Sequence, residues 1–471
     1  MGTRKMTMGV IVSNRGFFPD ELAKTGRDEI VEALAKAGMD TVLLSPEQSK
    51  FGTVETHEDA KRCAELFRAN ADRIDGVIVT LPNFGDERAV AETLRLAKLD
   101  VPVLVHASPD TAGKMTQQFR RDSFCGKISA CNNLRQFGIP FSLTSEHTEA
   151  LDSDLFRADL ARFAATCRIV RGMKNLRMGC IGARPAAFNT VRYSEKILEA
   201  NGISVETVDL SEIFGRIDRL KDADPAVTAK MDELRAYVRT AAPEKALARM
   251  AKLALVISDW MQRVDVSVSA IQCWTSMQEN LGVMPCTVMS MMSNGMLSSA
   301  CEADIGGTLS MHALALAGES PSALLDWNNN YGSNPDKAVC FHCSNLPKSF
   351  FADAKMHYGE IFAATVGEEN AQGTMAGLIK ANPMTFARIS TDDITGKMRG
   401  YVGEGRFTSD ALETFGGAGV VEISRLQELM RFICENGFEH HVAANMSSVA
   451  DAVYEAGSRY LGWDMSRHTA A

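Results

Sequence analysis

Short apolar runs alternate with longer amphipathic stretches through the first part of the chain. Residues 8–12, 41–44, 76–80 and 102–105 are apolar and rich in β-branched side chains, which predicts buried strands. Residues 21–37, 57–70 and 87–98 space their apolar positions three and four apart, which predicts helices between those strands. This rhythm implies a parallel sheet covered by helices. Its post-strand loops, Ser13-Asn14-Arg15 and Leu81-Pro82-Asn83-Phe84-Gly85, are polar. Open α/β sheets place ligands in such loops.

The rhythm restarts near Asn175. Residues 177–181 and 204–209 predict strands, and 190–200 a helix closed by Asn201-Gly202. Charged helices follow over 211–252, and 253–257, 266–270 and 284–288 read as buried strands. From about Ser344 the pattern becomes short and alternating, at 373–379, 384–389, 397–404 and 419–423, with glycine-rich turns between. A helix over 426–436, closed by Gly437, and an amphipathic helix over 447–461 complete the chain. The expected fold class is α/β: two Rossmann-like parallel-sheet domains followed by a small, barrel-like β-rich domain. The expected domains are an N-terminal α/β domain at 1–172, a central α/β domain at 173–343 and a C-terminal β-rich domain at 344–471.

Composition narrows the class. A chain of 471 residues exceeds one ordinary core, and 45% hydrophobic with 23% charged residues suits a soluble globular protein. The formal net charge of −9 argues against a nucleic-acid backbone or an anionic membrane surface as partner. No segment is long and apolar enough to span a bilayer, and the N-terminus lacks a secretory apolar core, so a cytoplasmic location is expected. The 11 cysteines are odd in number and scattered; only Cys340 and Cys343 have Cys-x-x-Cys spacing. Reduced thiols therefore fit better than a disulfide framework or a structural zinc site.

Candidate chemistry lies in the last third. Glu302, Asp326, His342 and the pair His440–His441 each sit in an otherwise apolar or glycine-rich segment. Two carboxylates with one or two imidazoles make an oxygen–nitrogen donor set suited to a divalent ion such as Mn²⁺, with positions open for substrate. Bland readings stay open for each. Glu302 opens a helix, although Asp304 is the better cap, and Asp326 could begin a polar turn. His342 could be a satisfied core histidine, and His440–His441 a surface turn.

The run Ala300-Cys301-Glu302-Ala303-Asp304-Ile305-Gly306-Gly307, followed by Leu325-Asp326-Trp327-Asn328-Asn329-Asn330, resembles the metal-binding core of the L-fucose isomerase/L-arabinose isomerase superfamily. In that family a Glu and an Asp at very similar separation hold manganese; here 24 positions separate Glu302 from Asp326. Val339-Cys340-Phe341-His342-Cys343-Ser344 is similar to the family's histidine-bearing strand, whose His is a ligand in the arabinose branch. Glu439-His440-His441 resembles the late His-His of that branch, where the second His is the ligand. Gly182-Ala183-Arg184-Pro185 with Phe188 is similar to the second-domain signature. The resemblance covers essentially the whole chain, which is shorter than typical L-fucose isomerases.

The resemblance implies a Mn²⁺-dependent aldose–ketose isomerase acting on an open-chain, unphosphorylated sugar through an enediolate. It gives Glu302 and Asp326 two jobs, as metal ligands and as the acid/base pair. It makes His441 a further ligand and His342 a ligand or an adjacent polar contact. Trp274, Gln278, Asn328, Asn330 and His440 are substrate-binding candidates. Arg15 is another, acting in trans if the implied homo-oligomer, a trimer or hexamer, places sites near subunit interfaces. The sugar stays open between an L-fucose or D-arabinose type and one with an anionic C6 group, such as sulfoquinovose; Arg15 and Arg184 leave the anionic option standing. The alternatives are a sugar-binding or regulatory protein on the same scaffold, or an epimerase or aldolase working through the same enediolate.

Overall fold

The computed structural model describes residues 4–469. The chain divides into two compact units, Met1–Arg171 with Glu455–Gly462, and Gly172–Tyr454 with Trp463–Ala471.

The first unit is built on five parallel strands: β1 (Thr7–Val12), β2 (Asp40–Val42), β3 (Gly76–Leu81), β4 (Val103–Ala107) and β5 (Ser142–Leu143), in the order β2-β1-β3-β4-β5. Alternate residues feed two cores. Ile11, Val77, Val79 and Val105 face one side, while Val10, Val12, Ile78 and Leu104 face the other. Burial on both faces explains why these strands read as unbroken apolar runs. The flanking helices Asp20–Lys36, His57–Ala69 and Glu87–Ala97 fall where the apolar spacing placed them. Thr56 and Asp59 form a reciprocal capping box, and Asp86 caps the third helix through Arg88 N and Ala89 N.

The second unit opens with another parallel sheet. Its strands are β6 (Arg177–Ile181) and β7 (Ser204–Val208), then, after the short β8 (Arg239–Thr240), β9 (Val268–Ile271) and β10 (Ser299–Cys301). The order is β10-β9-β6-β7. The remaining strands are β11 (Ser322–Asn330), β12 (Lys337–His342), β13 (Lys355–Tyr358), β14 (Gln372–Leu378), β15 (Asn382–Asp392), β16 (Lys397–Phe407), β17 (Gly417–Glu422), β18 (His441–Asn445) and β19 (Asp464–Arg467). With β8 they form one sheet ordered β19-β16-β15-β18-β11-β12-β17-β14-β13-β8. Its β16 also pairs with β17, Arg406 opposite Glu422 and Phe407 opposite Val421. Six antiparallel strands, β16-β15-β18-β11-β12-β17, thereby close into a barrel. Closure leaves those strands no free edge.

Several local expectations change. Residues 253–257 are not a strand but the middle of a helix, Glu244–Arg263, whose buried residues Leu247, Met250, Ala254, Ile257 and Met261 recur every three or four positions. Residues 284–288 open the helix Cys286–Asn294 instead of forming a strand. Both were short apolar runs, and such a run reads the same in a buried strand and a buried helix. The last amphipathic stretch is shorter than expected: a helix over Ala450–Glu455 continues into a π-turn at Ala456–Tyr460. The barrel draws on both sides of residue 343, because β11 and β12 precede it. Among the described residues, no helix is long and apolar enough to cross a membrane.

Candidate metal centre

Glu302 follows the last residue of β10. Its φ of 62° and that of Ala303, 55°, turn the chain through the left-handed region immediately after the strand. Ala303 N donates to Ile271 O at 3.2 Å and Asp304 N to Cys301 O at 3.0 Å, which fixes the turn at the carboxyl end of the parallel sheet. A non-glycine residue in that region is costly, and two in succession mark a segment the surroundings hold in place. Asp304 then caps the helix Ile305–Gly318 by accepting from Gly307 N at 2.8 Å.

The barrel supplies the other groups. Asp326 in β11 stands directly opposite His441, the first residue of β18, and opposite Phe341 of β12. Leu325 and Val442 turn into the hydrophobic core, so Asp326 and His441 share the other face of their strands. His342 ends β12. His441 Nε2 lies 3.1 Å from Glu302 Oε2 and 3.4 Å from Asp326 Oδ1. His342 Nε2 is 3.7 Å from Glu302 Oε2, and His440 Nε2 is 3.6 Å from Asp326 Oδ1. Glu302, His342 and His441 are buried, at 7%, 1% and 1% exposure. Glu302 Oε2 and Asp326 Oδ1 have no hydrogen-bond partner although both atoms are out of solvent.

Charge settles around this core in a definite way. Burial works against ionising Glu302, but the facing His342 and His441 imidazoles hold it well below the usual carboxylate range. Burial works against the His441 cation too. Asp304 and Glu302 outweigh it and lift His441 to about 10. His342 is likewise raised well above its usual value against the pull of burial, with Cys343, Glu302 and Asp326 as the causes. His440, half-buried, moves the other way, through burial and then the neighbouring His441 charge. The histidines and the carboxylates thus favour each other's charged forms. A cation bound at these atoms would compete with imidazole protons.

The structure brings together Glu302, Asp326, His342, His440 and His441. Two overlapping groups, Glu302–His342–His441 and Asp326–His440–His441, each keep their donor atoms within 4.8 Å of one another. Trp274 joins them, its Nε1 donating to Glu302 Oε1 at 3.1 Å. Gln278 is buried, and its amide serves its own segment, bonding Cys273 O at 2.7 Å. Asn328 and Asn330 are exposed, and bond to Asn329 and to Gly332 O. Arg15 belongs to the first unit, where Nε donates to Gly85 O at 2.7 Å, Nη2 pairs with Glu87, and the guanidinium lies 4.1 Å over the Phe84 ring.

Sequence reading assigned no site role to three contributors. Phe188 lies with ring centroids 5.9, 5.4 and 5.6 Å from Trp274, His440 and His441 and walls one side of the cluster. Asp304 caps its helix as expected but also places Oδ2 2.8 Å from His441 Nδ1. Arg388, at 1% exposure, pairs with Asp304 and had no signal of its own in the sequence. The donor types fit a divalent cation: Glu302 Oε2 and Asp326 Oδ1 each lie beside His441 Nε2, and His441 is the residue the two groups share.

Two family models match the chain. Residues 9–174 match the N-terminal domain of fucose/sulfoquinovose isomerases, and residues 340–469 match the C-terminal domain of L-fucose isomerases. His342 and His441 fall within the second match, while Glu302 and Asp326 lie between the two. The sulfoquinovose isomerase of Priestia megaterium (strain ATCC 12872 / QMB1551) is 24% identical over 331 residues, 70% of each chain. That of Alkalicoccus urumqiensis is 24% identical over 368 residues, covering 76% of this chain and 79% of its own. A third, from Clostridium sp. (strain MSTE9), is 22% identical over 199 residues, 41% of this chain and 43% of its own.

Proposed function

The chain belongs to the fucose isomerase-like superfamily and is an aldose–ketose isomerase, and from that premise we propose that it converts a C6-anionic sugar, sulfoquinovose, to its ketose with Mn²⁺ held by Glu302, Asp326 and His441. His342 borders the same space and is read as a fourth ligand or a polar neighbour. One observation carries the reading: Glu302 Oε2 and Asp326 Oδ1, both buried and without a hydrogen-bond partner, lie 3.1 and 3.4 Å from the same His441 Nε2.

When bound, the metal would supply Lewis acidity at the two sugar oxygens on C1 and C2. The rest is the work of the chain. A C–H beside a carbonyl is a weak acid, so a carboxylate must stand within reach of it. Glu302 and Asp326 are that acid/base pair: one takes the proton from C2 of the open-chain aldose and it is returned at C1, while the hydroxyl proton on O2 passes to O1. Trp274 Nε1 occupies Glu302 Oε1 and so leaves Oε2 as the oxygen that works. Phe188 and Trp274 line the cluster with apolar surface, which limits water near the carbanionic carbon.

Two things support an anionic sugar. The curated relatives are named sulfoquinovose isomerases. A cleft of about 810 Å³ has Ala303 and Glu439, the chain neighbours of Glu302 and His440, on its wall together with Arg184, Arg192 and Arg399. Glu195 and Asp393 line it as well, so individual guanidiniums rather than net charge would read the anion. The reading includes a homo-oligomer in which Arg15 of one subunit closes a neighbour's site.

The test is a Mn²⁺-supplemented screen of wild type and Glu302→Gln against sulfoquinovose, L-fucose and D-arabinose, with products read by NMR in D₂O. Metal-dependent conversion of sulfoquinovose, with deuterium entering at C1 and loss of turnover in the variant, is the expected result. Preference for an uncharged sugar would overturn the substrate; turnover that survives both chelation and Glu302→Gln would overturn the mechanism.

A further inference from the structure

Asp304 does more than a helix cap requires. The cap uses Oδ1, which accepts from Gly307 N at 2.8 Å. Both oxygens also receive the fork of Arg388, Nη1 to Oδ2 at 2.6 Å and Nη2 to Oδ1 at 3.0 Å. Oδ2 in addition faces His441 Nδ1 at 2.8 Å. Arg388 is itself wholly buried and does not stop at Asp304: Nη2 lies 3.1 Å from Glu439 Oε1, and Nε donates to Ser390 Oγ at 3.2 Å. Ser390 Oγ donates in turn to Glu439 Oε2 at 2.7 Å. Glu439 precedes His441 by two residues, so one guanidinium ties down both the carboxylate behind His441 and the chain leading into it.

The sequence makes room for this arrangement. A Cβ on Gly306 would stand 2.8 Å from Arg388 Nη2, and one on Gly307 would stand 2.5 Å from Asp304 Oδ2. Those two glycines are the part of the Ala-Asp-Ile-Gly-Gly run that metal ligation leaves unexplained. They let the helix start close against a buried ion pair.

We propose that Arg388 and Asp304 are positioning residues that fix His441 as the Nδ1–H tautomer and so present its Nε2 to the cation site. The inference rests on the metal reading above. An ionised Asp304 can only accept, so Nδ1 must donate to it. A neutral imidazole then has its lone pair on Nε2, the atom that faces Glu302 and Asp326. Arg388 keeps the carboxylate from rotating, because its planar fork engages both oxygens at once, which a lysine cannot do. A carboxylate behind a ligating histidine typically changes metal affinity by about 10–100-fold.

The experiment is a Mn²⁺ titration of the full chain followed by electron paramagnetic resonance, on wild type, Asp304→Asn, Arg388→Lys and Glu302→Gln, with circular dichroism as the folding control. Wild type should take up Mn²⁺; if it takes none, the metal reading fails and this inference goes with it. Given uptake by wild type, Asp304→Asn and Arg388→Lys should each bind about 10–100-fold more weakly. Folded variants that bind as tightly as wild type would overturn the inference and leave the metal reading intact. A second arm reads the tautomer in the wild-type chain and uses a variant only for assignment. With ¹⁵N-labelled histidine and diamagnetic Zn²⁺ in the wild-type chain, one buried histidine should show a protonated Nδ1 and a metal-bound Nε2, assigned to His441 through its loss in His441→Gln. Metal on Nδ1 of that histidine would overturn the proposal outright.

Discussion

Two histidines buried to the same extent behave in opposite ways. His106 in the first unit sits between Thr80 Oγ1, 3.0 Å from Nδ1, and Glu149 O, 2.8 Å from Nε2. Both ring nitrogens are matched by neutral groups, and burial pushes its pKa down to about 4. His441 in the second unit lies among Asp304, Glu302 and Asp326 and is lifted to about 10. The carboxylates mirror the contrast. Glu149 also has a buried oxygen without a hydrogen-bond partner, and there burial raises its pKa. Glu302 has one too, yet two imidazoles keep it ionised. Neither burial nor an orphaned oxygen alone marks a site. What separates the regions is that in the second unit carboxylate oxygens from two different sheets both lie beside one imidazole nitrogen, 3.1 and 3.4 Å from His441 Nε2, the arrangement that the proposed cation would use.

The sheet ends teach the same lesson. After β1 and β3 the buried polar groups satisfy one another: Asn83 Nδ2 donates to Asn14 Oδ1 at 2.7 Å, and Asn14 Nδ2 to Glu55 at 2.8 Å. Gly85 N and Asp86 N close onto Asn83 Oδ1 and Ser13 Oγ. This cluster holds its loops in shape through bonds among its own side chains and backbone.

The largest effect that can break the contrast is loss of an orphaned carboxylate. Glu302→Gln should lower kcat by about 10²–10⁴-fold and weaken Mn²⁺ uptake, in steady-state assays with metal titration. Asp326→Asn should fall in the same range. Wild-type activity in either variant would put the chemistry elsewhere.

Next comes pH, where the two histidines should act in opposite directions on the metal-free fold. His441 is raised above its usual 6.5, so its contribution is present below about pH 6.5 and is lost as pH rises toward about 10. His106 is depressed, so its contribution is present above pH 6.5 and is lost as pH falls toward about 4, worth about 3 kcal/mol. Melting temperature against pH should therefore fall on both sides, and added Mn²⁺ should flatten the alkaline side, since metal replaces the proton on His441. An alkaline limb that ignores metal would contradict this.

Trp274→Phe removes one hydrogen bond to Glu302 and should cost about tenfold in kcat/KM with the fold unchanged. At the small end, Asn328→Ala touches an exposed side chain off the cluster and should change kcat/KM by less than about threefold. A large loss there would bring the sugar out to the exposed end of β11 and redraw the site.

Much of the fold was legible because strands buried on both faces and helices with one apolar stripe leave different periods. The failures, at 253–257 and 284–288, are apolar runs too short to show a period. Glu302, Asp326, His342 and His441 stood out as polar residues in apolar or glycine-rich surroundings. Asp304 was visible only as a cap, because its contact with His441 spans 137 positions. Arg388 was invisible, since an arginine in a strand reads as solvated until the partners 84 and 51 positions away are known. Such pairings are set by the closure of the barrel against the helix Ile305–Gly318, which leaves no local spacing to read.

The most direct measurement is anomalous X-ray diffraction at the manganese edge from crystals grown with Mn²⁺. One strong peak is expected beside Glu302 Oε2, Asp326 Oδ1 and His441 Nε2. An active enzyme whose manganese lies elsewhere, or a cluster that stays closed by protonated imidazoles at saturating Mn²⁺, would contradict it.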